Sequence, residues 1–173
     1  MVSFDTTFLD YPSPDDIAVI VYISGCEHNC PGCQNAALQH VYSDFSEAEI
    51  GSLIAKIDES CERNDTKKVV LSGGDWLAPK NREYLKQICF YLGEKLDICI
   101  YTGYSIDEVK EMGITGFKYI KCGKFDCENM QKAEKTDEYI QFVNKTQNLY
   151  DSEYQQLSVN GKFNFKENGE NNG

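Results

Sequence analysis

The hydrophobic and polar positions of the chain form short apolar runs separated by stretches of helical periodicity. Residues 17–24 form a continuous apolar, β-branched run, which is typical of a strand buried on both faces in a parallel sheet. Similar runs predict three further strands, at residues 67–72, 97–101 and 116–122. Apolar residues at helical spacing between the runs predict three helices, at residues 46–62, 79–93 and 105–112.

Several local signals support these boundaries. Glu49 follows Ser46 by three residues, which forms a capping box at the start of the first helix. Pro79 suits the first turn of the second helix, and Gly93 can end it. Beyond residue 124 the alternation weakens, although Asn160-Gly161 predicts the turn of a small hairpin over residues 156–165.

The order of the elements predicts the fold class. Strand and helix alternate four times, which is typical of an α/β protein with a mostly parallel sheet and right-handed crossovers. A chain with only four or five such units is too short for a closed eight-stranded barrel, which needs roughly 250 residues. We therefore expect a small, open partial (β/α) barrel. It would form a single domain over residues 1–165, followed by a disordered polar tail at residues 166–173.

Composition and charge narrow the classes of function. The 173 residues are 41% hydrophobic, which is enough for a buried core, and carry a formal net charge of -11. This negative charge disfavours nucleic acid and anionic membrane surfaces as partners. The longest apolar run, residues 17–23, is far shorter than the ~20 residues needed to cross a bilayer. The first 16 residues lack the features of a signal peptide, so we expect a cytoplasmic protein.

Three of the eight cysteines cluster in one loop. Clustered cysteines in a reducing compartment bind metal or do chemistry more often than they form disulfides. Cys26, Cys30 and Cys33 are spaced C-x3-C-x2-C after the first predicted strand, at the end of a parallel sheet where active-site loops converge. Three thiolates can hold three corners of an iron–sulfur cubane and leave one iron open to a ligand that is not protein.

A structural zinc ion is the alternative for this loop. Zinc sites tend to combine two C-x2-C-type pairs or additional histidines, and His28 could act as a fourth ligand only with strain. The spacing of the cysteines and their position after a strand favour the iron–sulfur cluster.

The other five cysteines are interpreted as ordinary thiols. Cys61, Cys89 and Cys99 fall on the inner faces of two helices and within a buried strand, where free cysteine commonly packs in the core. Cys122 and Cys127 lie near the active-site end with C-x4-C spacing, but two ligands are too few for a second metal.

The segment around these three cysteines carries a longer pattern, G-C-x-H-x-C-x-G-C-x-N, formed by Gly25, Cys26, His28, Cys30, Gly32, Cys33 and Asn35. With this pattern the chain resembles the radical S-adenosylmethionine (SAM) enzymes, and among them the small activating enzymes of the anaerobic (class III) ribonucleoside-triphosphate reductase. The resemblance extends over residues 15–125. It implies a partial barrel of the radical SAM type, with a [4Fe–4S] cluster on Cys26, Cys30 and Cys33.

The resemblance further implies which residues bind SAM. Gly73, Gly74 and Asp75 follow the second predicted strand, as does the family's glycine-rich motif, which holds the amino group of SAM. Thr102 and Tyr104 belong to a T-G-Y segment that lies near the cofactor in the family. No catalytic residue is implied beyond the cluster ligands.

The chain departs from the family pattern at three places. Trp76 stands after Asp75 where the family often has proline. Cys122 stands before Gly123 where the family usually has aspartate. Of the family's later R-G-S-x-N-Q-R segment, Gln147 is the residue that matches.

For the function, the resemblance implies reductive cleavage of SAM to methionine and a 5′-deoxyadenosyl radical, which takes a hydrogen atom from a backbone glycine of the reductase. The implied cofactors are the [4Fe–4S] cluster and SAM. The implied partners are the catalytic subunit of the anaerobic ribonucleotide reductase and a reduced flavodoxin-like electron donor. The alternatives are activation of another glycyl radical enzyme, another small radical SAM reaction, and a non-catalytic iron–sulfur or zinc module.

Overall fold

The computed structural model describes residues 1–14 and 17–168. Its helices are α1 (Glu47–Arg63), α2 (Arg82–Leu92) and α3 (Ile106–Met112). The larger sheet contains the strands β1 (Val2–Thr7), β2 (Ala18–Ile23), β3 (Lys68–Gly73), β4 (Asp97–Thr102), β5 (Tyr119–Cys122) and β8 (Asn148–Asp151). A smaller sheet contains β6 (Glu134–Lys135), β7 (Tyr139–Gln141) and β9 (Lys162–Asn164). None of these helices is long and apolar enough to cross a membrane.

The larger sheet has the strand order β1-β2-β3-β4-β5-β8. Strands β2 to β5 pair in parallel, and a helix follows each of β2, β3 and β4. The edge strands β1 and β8 are antiparallel to their neighbours. The prediction of an α/β protein with a mostly parallel sheet is therefore confirmed, but the sheet is mixed. No crossover helix lies between β1 and β2 or between β5 and β8, and such connections favour antiparallel pairing. The sequence pattern predicted no strand at either edge of the sheet.

The two faces of the larger sheet bury different partners. Side chains of Val19, Val21 and Ile23 pack in one core with the apolar faces of the three helices. The alternate positions Ala18 and Ile20 face the opposite side, because successive side chains of a strand point to opposite faces. There they pack against apolar residues of the smaller sheet and the segments beside it, including Ile140, Phe142, Phe163 and Phe165. All three helices thus lie on one face, and the smaller sheet covers part of the other.

The second predicted helix begins later than expected. The sequence placed its start at Pro79, whereas α2 begins at Arg82 with Asn81 at the N-cap. Before it, the Asp75 carboxylate accepts a hydrogen bond from the N–H of Leu77 (2.8 Å), which fixes a turn in place of the first helical residues. The fourth predicted strand also starts later, at Tyr119, because Gly116 has a φ of 80° that extended strands do not adopt.

The end of the chain is only partly as predicted. Asn160 and Gly161 have φ values of 51° and 69°, as a tight hairpin turn requires, and Val159 bridges to Lys162 across the turn. The hairpin over residues 156–165 does not continue, because β9 pairs with β7 and Gln156 bridges to Tyr150. Of the expected disordered tail, Lys166–Asn168 form a short 3-10 turn, and residues 169–173 lie outside the described residues.

The packing of the smaller sheet gives a stability prediction. Phe163 is 1% exposed and packs against the rings of Tyr119 and Phe165. We expect Phe163→Ala to lower the free energy of unfolding by about 3–5 kcal/mol, through lost burial and the cavity left behind. Phe90→Ala is the control, because Phe90 is 79% exposed and its removal should change stability by about 0.5 kcal/mol or less. Urea unfolding of the reduced, cluster-free protein, followed by circular dichroism, measures both. Equal midpoints for the two variants would contradict the packing described here.

Candidate active site

A cavity of about 370 Å³ lies where the carboxyl ends of the parallel strands meet the cysteine loop, which is defined here as residues 26–33. Its walls include all three clustered cysteines, Cys26, Cys30 and Cys33. Gly73 and Gly74 after β3, and Thr102 at the end of β4, line the same cavity. The structure thus brings together residues that are far apart in sequence, at the end of the sheet where active sites of parallel α/β proteins form.

The three thiols of the cysteine loop differ in exposure. Cys26 is buried, whereas Cys30 and Cys33 are half-buried. Burial is the main cause that raises the pKa of the Cys26 thiol to about 11; the hydrogen bond from the His28 backbone N–H opposes this shift, and the nearby Asp75, Cys30 and Cys33 add to it. The three thiols interact electrostatically and line one cavity. They form a donor set that suits a soft metal centre, which binds the thiolate form.

The glycine-rich segment after β3 lies directly against the start of the cysteine loop. The N–H of Gly74 donates to Ile23 O (2.6 Å), and the N–H of Asp75 donates to Gly25 O (2.8 Å). A Cβ atom on Gly74 would lie 2.5 Å from Gly25 O, so only glycine allows this approach of the two backbones. The fully buried Asn81 adds a brace, because its side-chain amide donates to the carbonyl groups of both Gly25 and Asp75.

Asp75 directly follows the two glycines and is 1% exposed. Its carboxylate accepts hydrogen bonds from the N–H of Leu77 (2.8 Å), the hydroxyl of Thr102 (2.9 Å) and the N–H of Gly103 (2.9 Å). It also accepts one from the ring nitrogen Nε2 of His28 (2.8 Å). The carboxylate therefore connects the loops after β2, β3 and β4, while the backbones of Gly73 and Gly74 line the cavity.

Tyr104 and Trp76 occupy structural positions beside the site. Tyr104 is absent from the residues that line the described cavity, and its ring packs edge-on against His28 with the ring centroids 4.5 Å apart. Trp76, which stands where the family often has proline, is fully buried and donates from its ring nitrogen Nε1 to Ser72 O (3.0 Å). Trp76 thus anchors the glycine-rich segment to β3 from the core between the larger sheet and the helices.

Four of the remaining cysteines lie in the hydrophobic cores, whereas Cys127 lies beside the cysteine loop. Cys61, Cys89 and Cys99 are buried in the two hydrophobic cores, as the sequence predicted. Cys122 packs in the helix-side core. Cys127 is exposed, and its Cβ lies 3.3 Å from where a Cβ on Gly32 would stand. Neither Cys122 nor Cys127 is among the residues that line the described cavity.

That Lys121 lines the cavity was not predicted from the sequence. Lys121 on β5 lines the cavity although it is only 7% exposed, and its ammonium nitrogen lies 3.5 Å from the centre of the Tyr101 ring. Burial lowers the pKa of Lys121 to about 8. Alternation along β5 could have indicated this orientation, because Lys121 stands between Ile120 and Cys122 of the helix-side core. Gln147, the residue retained from the family's later segment, lines the same cavity and donates to Gly123 O (3.0 Å).

Comparisons with known proteins identify one family and several relatives. Residues 16–170 match the family described as a 4Fe-4S single cluster domain. The chain is 35% identical over 94 residues, or 51% of its length and 60% of the relative, to the anaerobic ribonucleoside-triphosphate reductase-activating protein of Escherichia coli K12. It is 34% identical over 119 residues, or 61% of its length and 72% of the relative, to the protein of that name from Haemophilus influenzae.

A viral relative carries the same name. The anaerobic ribonucleoside-triphosphate reductase-activating protein of Enterobacteria phage T4 is 26% identical over 116 residues, which cover 64% of this chain and 70% of that protein. The three relatives thus carry one and the same name. The chain belongs to the family described as a 4Fe-4S single cluster domain, and its similarity to the Haemophilus influenzae protein places it in the family of anaerobic ribonucleoside-triphosphate reductase-activating proteins.

Proposed function

We propose that the protein is a radical SAM activating enzyme that generates a glycyl radical on the catalytic subunit of an anaerobic ribonucleotide reductase. The observation that carries this proposal is the shared cavity. Three cysteines with C-x3-C-x2-C spacing line it together with the Gly73-Gly74 backbone. The names of the relatives in Escherichia coli and phage T4 support the same reaction.

In this proposal Cys26, Cys30 and Cys33 hold a [4Fe–4S] cluster through their thiolates. The donor set fits such a cluster, since three soft ligands on one short loop leave one corner for a ligand from outside the protein. When bound, the cluster and SAM supply a one-electron reductive cleavage that yields methionine and a 5′-deoxyadenosyl radical. The buried position of Cys26 keeps water from one side of the cluster site.

The other residues of the cavity bind and orient SAM. Gly73 and Gly74 present backbone without a side chain, so carbonyl groups of this segment can accept hydrogen bonds from the amino group of SAM. Asp75 holds this segment against the end of β4, and Thr102 forms part of the wall. Tyr104 contributes through its contact with the His28 ring.

We interpret the larger sheet as an open partial barrel of the radical SAM type. In support, all three helices pack on one face and the four central strands follow one another in chain order, as in a singly wound barrel. The antiparallel strands β1 and β8 form the two edges, so the sheet does not close on itself. An open barrel can admit a polypeptide loop of the reductase, which a closed barrel would exclude.

The cellular setting follows from the chemistry. We propose a reduced flavodoxin-like protein as the electron donor, because the cluster must be reduced one electron at a time. The reaction would take place in the cytoplasm, where clustered thiols remain reduced.

The first prediction tests the reaction itself. After anaerobic reconstitution with iron and sulfide and chemical reduction, the protein should convert SAM to 5′-deoxyadenosine and methionine, measured by liquid chromatography. With the reductase subunit added, electron paramagnetic resonance should show a glycyl radical on that subunit. No cleavage by a correctly loaded cluster with the subunit present would refute the proposal. A radical formed only on a different glycyl radical enzyme would favour the alternative activase.

The second prediction divides the cysteines. Serine at Cys26, Cys30 or Cys33 should remove or degrade the cluster and abolish SAM cleavage, because a hydroxyl is a hard and poorly ionised ligand. The matched controls are alanine variants of the buried thiols outside the loop: Cys61, Cys89 and Cys99. These should keep full iron content and lose about 1–2 kcal/mol of stability. Cys122→Ala and Cys127→Ala should also keep their iron, and loss of iron from Cys122→Ala would show a fourth protein ligand.

The third prediction concerns the close approach of Gly74 to the cysteine loop. Gly74→Ala places a Cβ within 2.5 Å of Gly25 O, so we expect weaker SAM binding together with a less stable cluster. Gly51→Ala is the control, because a Cβ at Gly51 in α1 meets no atom within 4 Å and should stabilise the helix by roughly 0.5–1 kcal/mol. Equilibrium dialysis with SAM and iron analysis measure the two effects. Wild-type values for Gly74→Ala would show that the backbones do not need this contact.

A further inference from the structure

Hydrogen bonds hold the cysteine loop, residues 26–33, both to itself and to the strand ends beside it. The N–H of Cys33 donates to Cys30 O (3.2 Å), and the side-chain amide of Asn29 donates to Glu27 O (3.2 Å). Both bonds stay inside the loop. Among the hydrogen bonds of the described residues, the one from His28 to Asp75 joins this loop to the ends of β3 and β4.

The His28 side chain packs closely against the residues that follow β3 and β4. Its side chain is 10% exposed, and its Nε2 lies 2.8 Å from the Asp75 carboxylate. A Cβ on Gly103 would lie 2.4 Å from Cδ2 of the His28 ring, so the ring can lie here only because residue 103 is glycine. The ring of Tyr104 also packs edge-on against the His28 ring. Three independent contacts thus fix a residue that stands midway between Cys26 and Cys30.

The partner of His28 is the residue that organises the SAM side of the cavity. The Asp75 carboxylate also accepts hydrogen bonds from Thr102 and from the N–H of Gly103. Its own N–H donates to Gly25 O, immediately before the loop. A change in the His28 contact therefore affects the cysteine loop and the glycine-rich segment at once. The donor atoms of Cys26, His28 and Asp75 all lie within 4.8 Å of one another, which keeps this contact beside the first thiol.

We propose that His28 is a positioning residue that holds the cysteine loop in register with the SAM-binding segment through Asp75. The role of His28 is to donate from Nε2 to the carboxylate, and it is not a ligand of the cluster. This inference rests on the proposed function, since it concerns the alignment of cluster and cofactor. It predicts that loss of the donor uncouples the cluster from SAM even when three thiolates remain.

Two substitutions separate the donor from the ring. His28→Phe keeps an aromatic ring against Gly103 and Tyr104 and removes the hydrogen bond. His28→Gln removes the ring and keeps a side-chain N–H that can reach Asp75. His40→Asn is the control, because His40 is exposed and has a φ of 58°, a conformation that asparagine tolerates.

Each variant is reconstituted and analysed in three ways: iron and sulfide content, SAM affinity by equilibrium dialysis, and the electron paramagnetic resonance spectrum of the reduced cluster with and without SAM. We expect His28→Phe to bind SAM at least about tenfold more weakly, since charge-assisted hydrogen bonds are worth this much or more. The change of the spectrum on SAM addition should be reduced in this variant. His28→Gln should restore both properties, and His40→Asn should match the wild type.

The results distinguish His28 as a positioning residue from His28 as a cluster ligand. Wild-type affinity and spectra for His28→Phe would overturn the proposal. A His28→Gln variant as impaired as His28→Phe would also overturn it, and loss of iron in both would identify His28 as a cluster ligand. Loss of iron in His28→Phe alone would support it, since the donor would then be needed to hold the loop. A wild-type protein whose spectrum does not respond to SAM would refute the proposed function instead, which keeps the two failures distinct.

Discussion

The buried Asp75 carboxylate is the constraint on which the site depends. Moving a carboxylate out of water costs several kcal/mol unless hydrogen bonds replace its hydration, and here the replacements come from three different loops. Each donor can satisfy Asp75 only if its own loop is in place. The carboxylate therefore requires the loops after β2, β3 and β4 to be correct together, and this is what brings the cysteines and the glycine-rich segment to one cavity.

Around this constraint the sheet has two distinct faces. The helix-side core provides a rigid support, in which Trp76 ties the glycine-rich segment to β3 from below. The opposite face is covered in part by the smaller sheet and is open beside the cysteine loop, where Lys121 and Gln147 form part of the wall. The chemistry proposed here uses the open part of this face, and the covered part provides much of the second core.

Local patterns predicted the parts of the structure that depend on local physics. The continuous apolar run of β2, the capping box at Ser46 and the three cysteines are visible within a few residues of sequence. The edge strand β1 was missed because most of its residues are exposed and show no buried alternation. The contact of His28 with Asp75 joins residues 47 positions apart, and the burial of Lys121 depends on the aromatic rings of Tyr101 and Phe142. Such features follow from how distant segments pack, which no local pattern encodes.

The smaller sheet and the segments beside it cover the face of the larger sheet opposite the helices, and this has a consequence for the order of folding. The apolar residues Ile20 and Val70 are covered by segments near the end of the described chain, including Phe163 and Phe165. During synthesis the parallel strands and their helices can pair while this face still lacks its cover. Contacts between distant parts of a chain form slowly, and exposed apolar strands associate with one another in the meantime. A nascent chain that stalls before residue 140 would therefore present an uncovered apolar surface, and chaperones would meet this protein chiefly through the face that later bounds the cysteine-lined cavity.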